Sequence, residues 1–103
     1  SDWIYAWENQ NIKVYLSFYS KNFKGHKKSR VMWEKSRNHA LKKHSMISIQ
    51  TKNIQIVRTD KKIKVNFIQI FKSDKFSDIG NKELFWQKKN TGWKIVEENW
   101  RPL

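Results

Sequence analysis

The stretch VNFIQIFKS, residues 65–73, sets large apolar side chains in alternation with polar ones. Two later segments, NKELFWQKK at 81–89 and GWKIVEENWRP at 92–102, have the same pattern. A period of two is typical of strands that bury one face of a sheet. The last third of the chain therefore predicts an antiparallel sheet, and the segment NTG at 90–92 predicts a hairpin turn within it.

Polar residues recur on the apolar side of these predicted strands. Gln69 lies between Phe67 and Phe71, and a glutamate precedes Trp100. A buried amide or carboxylate costs free energy unless it is hydrogen-bonded, so its presence among aromatic rings indicates a pocket. This pattern favours a binding domain over an enzyme.

Alternation alone does not decide which glutamate enters the pocket. Strict alternation places Glu97 on the face of Ile95, and Glu98 on the face of Trp100. A β-bulge would change this phase, so both assignments stay open at this point.

The first half of the chain predicts two amphipathic helices and the start of the sheet. Apolar residues at steps of three and four predict one helix from Asp2 to about Tyr19, and a second from about Ser29 to Lys43. Residues 45–59 predict either one interrupted strand or two short strands, and residues 74–81 predict a loop. The fold class is therefore α+β, with helices covering one face of a curved sheet, in a single domain over residues 1–103.

Charge points to an anionic partner. The formal net charge is +13, from 22 Lys and Arg against 9 Asp and Glu. Nucleic acid, anionic lipid and carboxylate-bearing glycan or peptide all qualify, and a merely solvated lysine-rich surface is the plain alternative. The second helix and its approach predict an anion-binding surface, here called the basic patch: Lys24, Lys27, Lys28, Arg30, Lys42 and Lys43.

Several kinds of site are not expected. The chain has no cysteine, and His26, His39 and His44 lack the spacing of metal ligands, so we expect neither a metal nor a cofactor. No segment has the roughly 20 apolar residues that a membrane span needs. Since the sequence begins within a structured pattern without an initiator Met, we expect a domain excised from a longer protein.

The order of motifs resembles the nuclear transport factor 2-like (SnoaL-like) family. W-x-x-x-W, Y-x-x-x-Y-x-x-x-F, F-x-Q-x-F-x-S, K-x-L-x-W and W-K-I-V-x-E-x-W follow one another over nearly the whole chain. More narrowly, it is similar to the accessory domain that follows the L,D-transpeptidase-like catalytic domain in L,D-carboxypeptidases that determine helical cell shape. Phe71 stands where that family usually has Tyr.

The resemblance implies a cone-shaped fold with a pocket between sheet and helices. It implies a non-catalytic role in the periplasm, in which the domain holds peptidoglycan glycan or peptide for a neighbouring catalytic domain, and it is compatible with a homodimer. Its motif favours Glu98 over Glu97. The ligand-binding residues expected from the residues and the resemblance together are Tyr19, Trp33, Arg37, Gln69, Phe71, Lys82, Trp86, Glu98 and Trp100.

Two other functions compete with this hypothesis. A small isomerase or cyclase of the same fold would need an internal acid or base, and only Glu97 or Glu98 qualifies among the nine acids. A nucleic-acid-binding module would suit the charge and the aromatic content. The aromatic residues, however, fall on predicted core faces, and no RNA- or DNA-binding signature is present, so nucleic acid is not the expected partner.

Overall fold

The computed structural model of the protein describes residues 2–103. Helices come first along the chain and strands follow, and the strands form one antiparallel sheet in the order β1-β2-β3-β4. This confirms the α+β class. The bounds are α1 Asp2–Glu8, α2 Ile12–Ser17, α3 Arg30–Lys42, β1 Ile47–Arg58, β2 Lys62–Ser73, β3 Ser77–Lys89 and β4 Gly92–Pro102.

The long first helix predicted from Asp2 to Tyr19 is wrong, because the chain breaks it into α1 and α2. Gln10 adopts a left-handed backbone conformation at φ 55°, and the side chain of Asn11 accepts a hydrogen bond from the Val14 amide to begin α2. The Gln10 side chain donates to the backbone carbonyls of Leu41 and His44. The break therefore fastens the first two helices to the end of α3.

The predicted second helix is confirmed as α3. Ser29 caps it by accepting a hydrogen bond from the Met32 amide at 3.2 Å. Its buried residues are Trp33 and Leu41. Val31 and Met32, two apolar residues in the first turn of α3, are exposed.

The loop predicted at 74–81 is wrong for most of its length, because β3 begins at Ser77. Ser73 closes a tight turn by donating its amide to the carbonyl of Phe76 at 2.9 Å. Asp78 then pairs with Phe71, and Gly80 pairs with Gln69. Long-range pairing with β2 overrides the weak strand propensity of this Asp- and Gly-containing segment.

The sheet is bent by two irregularities. β1 is one continuous strand, interrupted in its pairing between Lys52 and Gln55, where Asn53 has a positive φ of 55°. In β4 the pairing shifts between Phe85 and Trp86 of its neighbour. Bulges of this kind increase local twist and curl a sheet around what it covers.

Aromatic rings fill the space between the helices and the inner face of the sheet. The Trp3 and Trp7 rings lie 5.3 Å apart, and successive contacts continue through Tyr15 and Tyr19 to Trp33. Burial of such large rings is the main favourable contribution to a core of this size. One part of the inner face is left uncovered, and the cleft described next lies there.

Candidate ligand-binding cleft

A cleft of about 560 Å³ opens between α3 with the segment preceding it and the inner face of the sheet. This size falls within the range usual for small-molecule sites. Aromatic, amide and charged side chains share its walls. The lining comprises Trp7, Phe23, Gly25, His26, Lys27, Trp33, Ser36, Arg37, Ala40, Leu41, Lys43, His44, Ile47, Gln69, Phe71, Phe76, Asp78, Lys82, Glu98 and Trp100.

A β-bulge decides which glutamate enters the cleft. Phe85 pairs with Glu97 and Trp86 pairs with Ile95, so Val96 has no partner of its own on β3. The extra residue lets Ile95 and Glu98 share the inner face although they are three positions apart. Glu98 therefore lines the cleft.

Glu98 is held by two partners inside the cleft. Its Oε2 lies 2.8 Å from Lys82 Nζ, and its Oε1 accepts a hydrogen bond from the Tyr19 hydroxyl at 3.0 Å. The Lys82 ammonium also lies 5.4 Å from the centroid of the Trp7 ring, within the range of a cation–π contact. Both side chains are largely buried, with exposed fractions of 8% for Lys82 and 16% for Glu98.

The hydrogen bonds continue from Glu98 into the core. The Tyr19 hydroxyl donates its one proton to Glu98. Its oxygen therefore accepts hydrogen bonds from Trp3 Nε1 at 3.2 Å and from the Tyr15 hydroxyl at 3.1 Å. Burial raises the pKa of Tyr15 to about 12, opposed by Arg37 and reinforced by Glu98. Burial and then Glu98 raise the pKa of Tyr19 well above its usual value. Both hydroxyls therefore stay protonated at neutral pH and act as donors.

Arg37 projects from α3 into the cleft. Its guanidinium carbon lies 5.8 Å from the Trp7 ring centroid and 5.4 Å from that of Tyr15. Trp33 lies one helical turn before Arg37, but the guanidinium over the Trp33 ring, at 4.9 Å from its centroid, is that of Arg30. Its Nε is buried without a hydrogen-bond partner among residues 2–103.

Gln69 lies at the centre of the sheet-side wall. It is 3% exposed, and its Oε1 has no hydrogen-bond partner within the described part of the chain. Gly80 faces it across the strand pair. A Cβ at Gly80 would lie 2.6 Å from the Trp100 indole, so the absent side chain allows that ring to lie against the sheet.

Seven of the nine predicted ligand-binding residues line the cleft and two do not. Tyr19 is buried behind Glu98 and reaches the cleft only through it. Trp86 is on the inner face but at the other end of the sheet, where its ring meets Phe18 edge-on at 6.4 Å. We therefore remove Trp86 from the candidate site.

Only two of the six residues of the basic patch line the cleft. Lys27 and Lys43 line the cleft, whereas Lys24, Lys28 and Lys42 are exposed. Arg30 does not belong to the patch as a free cation. It pairs with Glu34 at 2.7 Å and donates to the backbone carbonyls of Leu16 and Ser20, so its place in the predicted anion-binding surface is corrected.

Sequence reasoning missed Asp78, Phe76 and His44, which all line the cleft. The first two fall in the segment predicted as a loop. Phe76, Asp78, Gly80 and Lys82 are spaced two residues apart, and this spacing could have indicated that they share one face of a strand. His44, just past α3, is buried between the rings of Phe71 at 5.6 Å and Phe76 at 5.5 Å.

Residues 2–103 contain neither a metal-binding cluster nor a membrane-spanning helix. No three His, Asp or Glu side chains in this range are grouped so as to hold a metal ion. No helix in the same range is both long and apolar enough to cross a membrane.

Comparison with known families identifies the class of protein. The family model of the Cds6 C-terminal NTF2-like domain matches residues 1–99, so the chain belongs to this family. This confirms the resemblance inferred from the sequence motifs. No curated protein sequence is significantly similar to the chain.

Solved structures show the same fold. Bd1075 of Bdellovibrio bacteriovorus is 30% identical with a TM-score of 0.90 over 99% of this chain, which corresponds to 37% of Bd1075. The helical cell shape determining protein Pgp2 of Campylobacter jejuni is 22% identical with a TM-score of 0.77, over 95% of this chain and 37% of Pgp2. A candidate dehydratase of the NTF2-like family from Streptomyces avermitilis is 11% identical with a TM-score of 0.85, over 99% of this chain and 88% of its own.

Proposed function

We propose that this is the non-catalytic substrate-binding domain of a periplasmic, peptidoglycan-modifying cell-shape protein. In this role the cleft holds glycan or peptide while a neighbouring L,D-transpeptidase-like domain carries out the chemistry. The observation that carries the proposal is a nearly fully buried amide, Gln69, with an unpaired oxygen in a cleft walled by aromatic rings. Natural sites of this kind combine apolar walls with a few polar groups that fix the orientation of a ligand.

The relatives support a role within a larger protein. This chain spans only 37% of the length of Bd1075 and 37% of Pgp2, and Pgp2 is named for determining helical cell shape. In proteins of that length, most of the chain lies outside the NTF2-like domain. The remaining length of these proteins is large enough for a separate domain that performs the reaction.

The state of Glu98 favours binding over proton transfer. A general base must lie within hydrogen-bond reach of the proton that it takes from the substrate. Here Lys82 occupies one oxygen and Tyr19 the other, at 2.8 and 3.0 Å. These contacts make Glu98 part of the hydrogen bonding of the cleft wall itself. The dehydratase likeness, at 11% identity, is a likeness of fold alone.

The test is the binding of purified muropeptides to the chain, measured by isothermal titration calorimetry and mapped onto the structure by NMR shift changes. Gln69→Ala and Trp100→Ala are expected to weaken binding by about tenfold each, since each removes a contact worth about 1–2 kcal/mol. Gln87→Ala is the matched control, because Gln87 is an amide on the outer face of β3. Unchanged affinity in both cleft variants would refute the assignment of this cleft.

A further inference from the structure

Unpaired buried polar atoms are concentrated on the walls of the cleft. Five side-chain atoms among residues 2–103 are buried without a hydrogen-bond partner. Four of them belong to cleft residues, and the fifth is Asn38 Oδ1. Buried polar groups are nearly always paired, so such a cluster around a cavity indicates a ligand that completes the pairing. The four are Arg37 Nε, Gln69 Oε1, Asp78 Oδ1 and His44 Nδ1, the last of which lies 4.0 Å from Asp74 Oδ1 outside the cleft lining.

The sheet-side wall offers acceptors. Gln69 Oε1 and Asp78 Oδ1 accept hydrogen bonds, and an ionised Asp78 also carries a negative charge. Asp78 pairs with Phe71, two positions from Gln69 on the same face, which makes Asp78 and Gln69 diagonal neighbours about 7–8 Å apart. A ligand group that satisfies both must carry several N–H donors, and a positive charge suits the carboxylate.

The helix-side wall offers donors. Arg37 Nε is an unpaired donor on a permanent cation. Two exposed lysines also line the cleft and are called the rim lysines: Lys27, and Lys43, whose Nζ lies 5.7 Å from the Phe76 ring centroid. These groups suit a carboxylate on the ligand. The remaining charged pair in the cleft, Lys82 with Glu98, is satisfied internally at 2.8 Å and does not need a ligand.

We propose that the cleft binds an amino-acid head group, in which a protonated amine and a carboxylate lie close together on one short carbon skeleton. The amine lies against Gln69 and Asp78, and the carboxylate against Arg37 and the rim lysines. This inference rests on the proposed function and narrows its ligand from glycan or peptide to the peptide part. A glycan supplies hydroxyl and acetamido donors but no positive charge for Asp78.

The aromatic surfaces fit the carbon skeleton of such a group. Phe71 and Phe76 stack with their centroids 5.3 Å apart, next to the acceptors of the sheet wall. Rings beside an ammonium group add a cation–π attraction and exclude water from the polar contacts. The aromatic walls therefore strengthen the hydrogen bonds of the ligand's amine and those of its carboxylate.

The test compares four probes on the ¹⁵N-labelled chain by NMR titration. They are a disaccharide-tetrapeptide muropeptide with a free amino group, the same compound with its amine acetylated, the same compound with its carboxylates amidated, and the disaccharide alone. The unmodified muropeptide is expected to bind. Either blocking reaction should weaken binding at least tenfold, and the disaccharide should shift few or no cleft signals.

Paired protein variants locate each end of the ligand. Asp78→Asn should weaken binding of the unmodified muropeptide, but it should not further weaken binding of the muropeptide whose amine is acetylated. In the same way, Arg37→Gln should weaken binding of the unmodified muropeptide but not further weaken binding of the amidated one. Glu83→Gln, on the outer face of the same strand, is the control. Folding of each variant is checked from its unliganded spectrum, and the ligand-side comparison stands without any variant.

The outcomes separate the two proposals. If the muropeptide binds but the disaccharide binds equally well, or if blocking the amine and the carboxylates changes nothing, the head-group inference is overturned while the proposed function stands. If no peptidoglycan fragment binds at millimolar concentration, both are overturned.

Discussion

Glu98 lies where the core and the cleft meet, and its two oxygens serve both. One oxygen pairs with Lys82 at the cleft wall, and the other accepts from Tyr19, whose own oxygen joins the core network of Trp3 and Tyr15. A largely buried charge is tolerable only when paired, so each partner depends on the other. Through this carboxylate the hydrogen bonds of the cleft wall are continuous with those of the core.

This dependence predicts an asymmetric response to mutation. Lys82→Met leaves the Glu98 charge largely buried with only the Tyr19 hydroxyl, and should lower the free energy of unfolding by about 2–4 kcal/mol. The double variant Lys82→Met with Glu98→Leu should recover part of that loss, because no unpaired charge remains. Urea denaturation of the single and double variants measures both values. A double variant no more stable than Lys82→Met would contradict this account.

At the scale of elements, β3 and β4 shape the cleft. Gly80 lets the Trp100 indole lie against the sheet, and Trp100 remains 38% exposed, with part of its surface open to a ligand. The bulge at Val96 brings Glu98 inward on the same strand. Two backbone features, rather than two side chains, thus place the wall residues.

We expect Gly80→Ala to disturb this wall. The new Cβ would lie 2.6 Å from the Trp100 indole and 2.5 Å from the Arg101 carbonyl oxygen, and the backbone atom cannot turn away. Overpacking of this kind costs about 1–3 kcal/mol, and the displaced indole should weaken muropeptide binding as Trp100→Ala does.

Thermal unfolding and calorimetric titration measure the two effects of this substitution. Ser77→Ala, an exposed position on the same strand, is the control. Retention of full stability and affinity by Gly80→Ala would show that the ring is not held against the sheet.

The element scale also shows how far sequence patterns reach. The strand predicted at residues 65–73 lies within β2, and α3 was predicted to within one residue at each end. The helix break at Gln10 was missed, since no proline or glycine marks it and its cause is a contact with the distant end of α3. The strand residues at 77–81 were missed because they pair favourably only when β2 is beside them.

At the scale of the whole molecule, the excess of positive charge has two parts. Lys27 and Lys43 belong to the cleft rim, whereas Lys24, Lys28 and Lys42 face solvent away from its lining. A net charge of +13 on 103 residues attracts polyanions of any kind over distances near the Debye length. Substitutions outside the cleft should therefore change the attraction of polyanions without changing the binding of a ligand in the cleft.

A triple reversal of Lys24, Lys28 and Lys42 to Glu tests this separation. It should weaken association with single-stranded DNA and with an equally charged non-nucleic polyanion to the same extent, and reduce the salt dependence of both. Muropeptide affinity should change less than about threefold. Fluorescence anisotropy at two salt concentrations measures the first effect, and calorimetry measures the second. DNA binding that survives the reversal and exceeds that of the other polyanion would favour a nucleic-acid-binding module instead.

The α+β class, the character of most elements and the unusual position of Gln69 follow from the order of residues alone, because the period of apolar residues is a property of the local chain. Tertiary structure alone decided that Glu98 faces inward, that Asp78 joins Gln69 on one wall, and that Arg37 lies over Trp7 and Tyr15. Each of these depends on strand register, a bulge or helix packing. Those features are fixed by contacts between residues far apart in the sequence, which local periodicity does not encode.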